Sequence, residues 1–135
     1  MNRMDKMEYD LAGQVIGCAM KVHSALGPGF LESVYQNALA HELGKAGLSV
    51  ELEVRLTVNY DGVAVGVFDA DMLVNKTLLV ENKAGQALAA AHEVQLVNYL
   101  TATGLDEGLL LNFGAVRLEF KKKYRLYQPS TKSIS

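Results

Sequence analysis

The chain has 135 residues, half of them apolar, which suffices for one compact domain with a core of its own and is too few for two. A formal charge of −2 excludes the overall basic field that wraps nucleic acid non-specifically, so any polyanion site must be local. A single cysteine, Cys18, excludes an internal disulfide framework, and no apolar run reaches the ~20 residues of a membrane-spanning helix. With no signal-peptide core at its N-terminus, the sequence reads as a cytoplasmic protein with no membrane partner.

From Asp10 the residues Leu11, Val15, Cys18, Ala19, Val22 and Leu26 recur with the spacing of a one-sided helix, and Gly27-Pro28-Gly29 ends it. A second helix follows, with Leu31, Val34, Tyr35, Ala38, Leu39 and Leu43 as its expected buried side and Gly47 as a left-handed cap. The period drops to two in SVELEVRLTVNY, a strand with one wet face. Asp61-Gly62 is a tight-turn signal, and VAVGVFDADMLV runs back antiparallel. After a break at Asn75-Lys76, TLLVENKA is a third strand, apolar on both sides and so expected at the centre of a sheet.

Residues 86–103 read as a third helix, with Val94, Val97 and Leu100 inward. GLLLNFG and VRLEF read as two further strands, the first of them parallel to the third strand across a right-handed crossover. Residues 1–9 and 128–135 are expected to be flexible ends. The order α-α-β-β-β-α-β-β predicts a single α/β domain over 1–135, its mixed sheet flanked by helices.

Charged residues interrupt the apolar hairpin DMLVNKTLLVENKA, residues 71–84. Glu81 and Lys83 share a face, roughly 6.6 Å apart along a strand. Asp71 joins them only if the turn has three residues, Asn75 to Thr77; a two-residue turn puts the acids on opposite faces. Two carboxylates held together in a partly dry sheet repel, and a divalent cation relieves the cost. Mg²⁺ or Mn²⁺ suits such oxygen ligands, and Lys83 beside them suits hydrolysis of a phosphodiester. Charged pairs at strand ends also occur without chemistry, and Asp69, in phase with Asp71, is an alternative ligand.

On the third helix His92, Gln95 and Tyr99 form a polar stripe that would reach the exit of the third strand. Taken singly, Tyr99 reads as a core-edge tyrosine and His92 as a surface or capping histidine. Lys121, Lys122, Lys123 and Arg125 make a basic cluster that suits phosphates or, equally, a solvated strand end.

GFLESVY, residues 29–35, matches the GxxExxY motif, and the GPG turn, FDADMLV, VENKA, the Gln95-x-x-x-Tyr99 pair and GLLLNFG continue the match in order. On these blocks the chain resembles the GxxExxY family, a branch of the PD-(D/E)xK nuclease superfamily. The resemblance implies a restriction-endonuclease-like αβββαβ core with an extra N-terminal helix, and a Mg²⁺- or Mn²⁺-dependent nuclease acting on DNA or RNA. Position by position, it makes Asp71 and Glu81 metal ligands, the Asn82 backbone carbonyl a third, Lys83 the catalytic lysine and Glu32 a helix-borne acid near the metal. Gln95 and Tyr99 match the QxxxY element of exonuclease-like branches. The middle residue of the E-x-K triplet is usually apolar, so Asn82 departs from the pattern and needs a buried partner.

Two other readings compete. One is a catalytically inactive nuclease-fold module that binds nucleic acid or a protein partner. The other is a homodimer in which LLLNFGAVRLEF pairs across a two-fold axis.

Overall fold

Asp10 opens the first helix by accepting a hydrogen bond from the Gly13 main-chain N–H at 3.0 Å, which satisfies a donor that the helix start leaves unpaired. The computed structural model describes residues 10–126, and both ends predicted to be flexible lie outside them. Helix α1 spans Leu11–Leu26 and buries Ala12, Val15, Ile16, Ala19 and Val22. Helix α2 spans Glu32–Lys45.

Strands β1 (Val50–Tyr60), β2 (Val63–Val74), β3 (Leu78–Lys83), β4 (Glu107–Asn112) and β5 (Glu119–Tyr124) form one sheet in chain order. Helix α3, Ala90–Thr103, carries the chain from β3 to its parallel neighbour β4, while the other neighbours are antiparallel. This is the predicted α/β architecture with a mixed sheet. One core joins α1 and α2 to Met72, Val74, Leu78, Val80, Leu109 and Leu111. A smaller core joins Leu96 and Leu100 of α3 to Ala70, Leu79 and Leu110. No helix among the described residues is long and apolar enough to cross a membrane.

Four expectations change. Leu31 is 76% exposed and Val34 is also exposed, because α2 buries only the Tyr35, Leu39 and Leu43 side against the sheet. Val94 is 59% exposed, since Leu96 and Leu100 are the residues α3 turns inward. Helix α3 begins at Ala90 rather than residue 86, because the main chain at Gly85 and Leu88 is bonded to side chains of the sheet. The last strand lies at Glu119–Tyr124, so the lysines occupy it rather than follow it. Within LLLNFGAVRLEF, β4 has β3 on one edge and β5 on the other, so the open sheet edge on this side is that of the lysine-bearing β5.

The motif GFLESVY is explained by its tyrosine. Tyr35 is fully buried and stacks on Phe113 with ring centroids 4.8 Å apart. Its hydroxyl donates to the Gly27 carbonyl at 2.5 Å and accepts from the Phe30 N–H at 3.1 Å, so the ring pins the GPG turn. Gly29 takes φ +117°, a conformation that L side chains rarely adopt. The turn thus delivers Glu32 as the first residue of α2.

Candidate active site

The turn between β2 and β3 has three residues. Val74 pairs with Leu78, and Asn75 and Lys76 take φ of 51° and 59° to close the turn. The same register, carried past Met72 and Val80, sets Asp71 opposite Glu81. Each acid is laced to the other's strand: the Asp71 N–H donates to Glu81 Oε2 at 2.9 Å, and the Asn82 N–H donates to Asp71 Oδ2 at 2.8 Å. The two carboxylates therefore share one pocket.

Burial dominates their electrostatics. Glu81 is 8% exposed, and desolvation together with the Asp71 charge pushes its carboxyl up to about 7. Asp71 is raised as well, first by burial, and the charges of Glu53 and Glu32 push the same way. Lys83 pulls both acids down, which places its ammonium within electrostatic reach of the pair. A carboxyl that holds its proton more tightly in the folded chain than in the unfolded one makes stability fall as pH rises through its folded value. Thermal unfolding is therefore expected to show stability declining from the ordinary carboxylate value of 4.5 toward about 7, and Glu81→Gln is expected to flatten that decline.

Glu53 is the acid that inspection of the sequence did not single out. It has φ +54°, and the β1–β2 ladder skips the position where it would face Asp71. Below this gap the even-numbered Val50, Met72 and Val74 serve the α1–α2 core; above it the even-numbered Leu56, Phe68 and Ala70 serve the α3 core. The hairpin turns over there, at the level of Asp71. Gln36 of α2 donates to Glu53 Oε2 at 2.7 Å and ties the helix to this gap.

The remaining candidates separate. Tyr99 stacks on Phe68 with centroids 3.6 Å apart; burial and the nearby Glu81 raise its phenol, and a hydrogen bond from Gln95 opposes them. Gln95 and Tyr99 thus stand together beside Glu81. His92 Nδ1 accepts from the Ala89 N–H at 3.2 Å, which is a capping position at the start of α3. Asp69 offers both its oxygens to Arg55, at 3.0 and 3.3 Å, in an ion pair across the hairpin. Of the basic cluster, Lys123 pairs with Glu93 at 2.9 Å and Arg125 with Asp106 at 2.7 Å. Two of its four cations are already matched by acids.

A family model of the PD-(D/E)XK nuclease superfamily matches residues 9–123. The chain belongs to that superfamily. Among solved structures, the crystal structure of SSO0001 is similar with a TM-score of 0.52 and 21% identity, over 73% of this chain and 52% of that one. The chain thus spans about half the length of that structure's chain, and the likeness bears on the fold. No curated protein is matched by the sequence.

In this member of the superfamily the polar triplet residue finds no partner. Asn82 is 1% exposed, and neither its Oδ1 nor its Nδ2 makes a hydrogen bond. Alternation along β3 points the amide to the side of Val80 and Ala84, into the α1–α2 core. An unpaired buried amide costs about 1–3 kcal/mol. Asn82→Val is accordingly expected to raise stability by an amount in that range, read from chemical denaturation, while the Asn82 main chain keeps its bond to Asp71.

The exit of β3 is clamped. Asn112, fully buried on β4 beside Lys83, accepts from the Gly85 and Gly114 N–H groups, each at 3.1 Å. It donates to the Gly85 carbonyl at 3.0 Å and to Glu119 Oε1 at 2.8 Å. Glu119 Oε1 also accepts from Leu88 N–H at 3.2 Å, and the Phe113 N–H donates to the Lys83 carbonyl at 2.9 Å.

Among the described residues no three His, Cys, Asp or Glu side chains converge in a way that would hold a metal ion. The carboxylates of Asp71 and Glu81, brought together across the hairpin, are oxygen donors of the kind that fits a hard divalent ion retaining water.

Proposed function

We propose that the protein is a divalent-metal-dependent nuclease of the GxxExxY branch, cleaving phosphodiester bonds in DNA or RNA in the cytoplasm. The observation that supports this best is the lacing of Asp71 to Glu81 with Lys83 acting on both. Asp71, Glu81 and the Asn82 carbonyl would hold Mg²⁺ or Mn²⁺. A bound divalent ion would polarise the scissile phosphate and ease ionisation of a water. The Lys83 ammonium orients the attacking water and stabilises charge building on the phosphoryl oxygens. Glu32, at the start of α2 and with a charge that acts on Asp71, would supply a further acceptor, and Gln95, with Tyr99 against Phe68, would line the side next to Glu81.

The experiment is incubation of the purified protein with plasmid, linear duplex DNA, single-stranded DNA and RNA, with and without Mg²⁺ or Mn²⁺. Cleavage of at least one probe, dependent on the ion and lost in Asp71→Ala, is expected. One observation favours the second reading, an inactive nuclease-fold module: the described residues assemble two carboxylates rather than three around a cation position. That reading wins if neither ion binds by calorimetry and no probe is cut.

A further inference from the structure

Asn112 uses its full complement of hydrogen bonds, two as donor and two as acceptor, and it does so where the chain leaves the Glu81-Asn82-Lys83 triplet. Its partners come from three separate segments: Gly85 after β3, Gly114 after β4, and Glu119 at the start of β5. Through Glu119 the network reaches the Leu88 N–H, two residues before α3 begins. The packing leaves no slack, since a Cβ on Gly114 would lie 2.5 Å from the Ala84 carbonyl atoms. Asn112 is hydrogen-bonded to neither Asp71 nor Glu81, yet it fixes the two segments that carry Lys83 and the Gln95–Tyr99 stripe.

We propose that Asn112 is a positioning residue, whose side chain holds the exit of β3 and the entry of α3 so that Lys83, Gln95 and Tyr99 face the acidic pair. The assignment rests on the nuclease reading for its effect on turnover, and on the hydrogen-bond network for its structural content.

The test exploits donor and acceptor polarity. Asn112→Asp keeps the shape and the acceptor toward Gly85 and Gly114, but sets a carboxylate oxygen against the Gly85 carbonyl and Glu119. Glu119→Gln then restores a donor toward the carboxylate introduced at position 112, at the cost of the Leu88 bond, because a single Glu119 oxygen, Oε1, serves both partners in the unaltered protein. Asn112→Asp is expected to lower kcat about 10²-fold with KM nearly unchanged, as a misplaced catalytic group does. The Asn112→Asp/Glu119→Gln pair is expected to recover about tenfold of that, the worth of one charge-assisted bond. Amide hydrogen exchange at Gly85 and Gly114 is expected to quicken in Asn112→Asp and to slow again in the pair. Should Asn112→Asp not fold, Glu119→Ala at the sheet edge removes one acceptor only, and is expected to speed exchange at Leu88 and lower kcat in the same direction.

Unchanged kcat and exchange in the single variants, or a pair no better than Asn112→Asp, overturns the proposal. If the unaltered protein cuts none of the four probes, the nuclease reading falls, and the exchange data alone then decide whether Asn112 holds these segments.

Discussion

Lys83→Ala is expected to reduce ion-dependent cleavage by about 10³-fold while leaving the fold and ion binding intact. The lysine side chain is half-buried at the end of β3, and its ammonium is the cation that pulls down both Asp71 and Glu81. Removing a group that acts on charge developing in the transition state costs about 10²–10³ in kcat. Here the loss reaches the top of that range, because the nearby groups Glu32, Glu53, Asp71 and Glu81 are all acids and none can take over. The structural cost is small, since the alanine keeps the main-chain carbonyl that accepts from Phe113. Lys83→Arg is the informative companion: it retains charge but cannot give up a proton, so recovery by arginine identifies electrostatic stabilisation and its failure identifies proton transfer. The check is single-turnover cleavage with Mn²⁺, beside calorimetry of Mn²⁺ binding. Cleavage by Lys83→Ala at the unaltered rate would remove the lysine from the mechanism.

Gly114→Ala is expected to be the most damaging single methyl group in the chain. A Cβ there would overlap the Gly85 carbonyl oxygen and stand 2.5 Å from the Ala84 carbonyl carbon and oxygen, all of them backbone atoms that cannot rotate away. Overpacking of this kind costs about 3 kcal/mol or more, which in a domain of this size lowers the melting temperature by roughly 10 °C. The same displacement would pull the Gly114 N–H from Asn112 and loosen the chain just beyond Lys83, so residual folded protein is expected to cut poorly. Gly17→Ala provides the contrast: it lies within α1 with nothing inside 4 Å of the added carbon, and is expected to gain about 0.5–1 kcal/mol from helix propensity. Thermal melts of the two variants should therefore move in opposite directions.

Local periodicity carried much of the architecture. Alternation in β1 and β2, the apolar run of β3 and the Asp61-Gly62 turn, whose residues take φ of 53° and 76°, are visible in a few adjacent residues each. The opposition of Asp71 to Glu81 was legible as a condition, that the turn have three residues, and the register Val74 to Leu78 meets it.

Glu53 shows where that legibility stops. The two-residue turn pairs Tyr60 with Val63, and carried straight down the hairpin that register would set Glu53 against Ala70. An irregularity at Val58/Asn59 shifts the ladder by one residue and brings Glu53 to Asp71 instead, and nothing in the alternation announces it. Asn112 is similar: it meets Gly85 across 27 positions of chain, and only the parallel pairing of β3 with β4 makes them neighbours. Leu31 and Val94 read as core because each lies on an apolar stripe, yet the sheet covers only part of each helix and leaves them in water.

What the sequence by itself determined, then, was the kinds of element, their order and the parity condition on the two central acids, all set by backbone geometry over a few residues. The tertiary structure decided the third acid, the clamp behind the lysine and the start of α3, because those depend on a strand irregularity and on contacts between segments that only the closed sheet brings together.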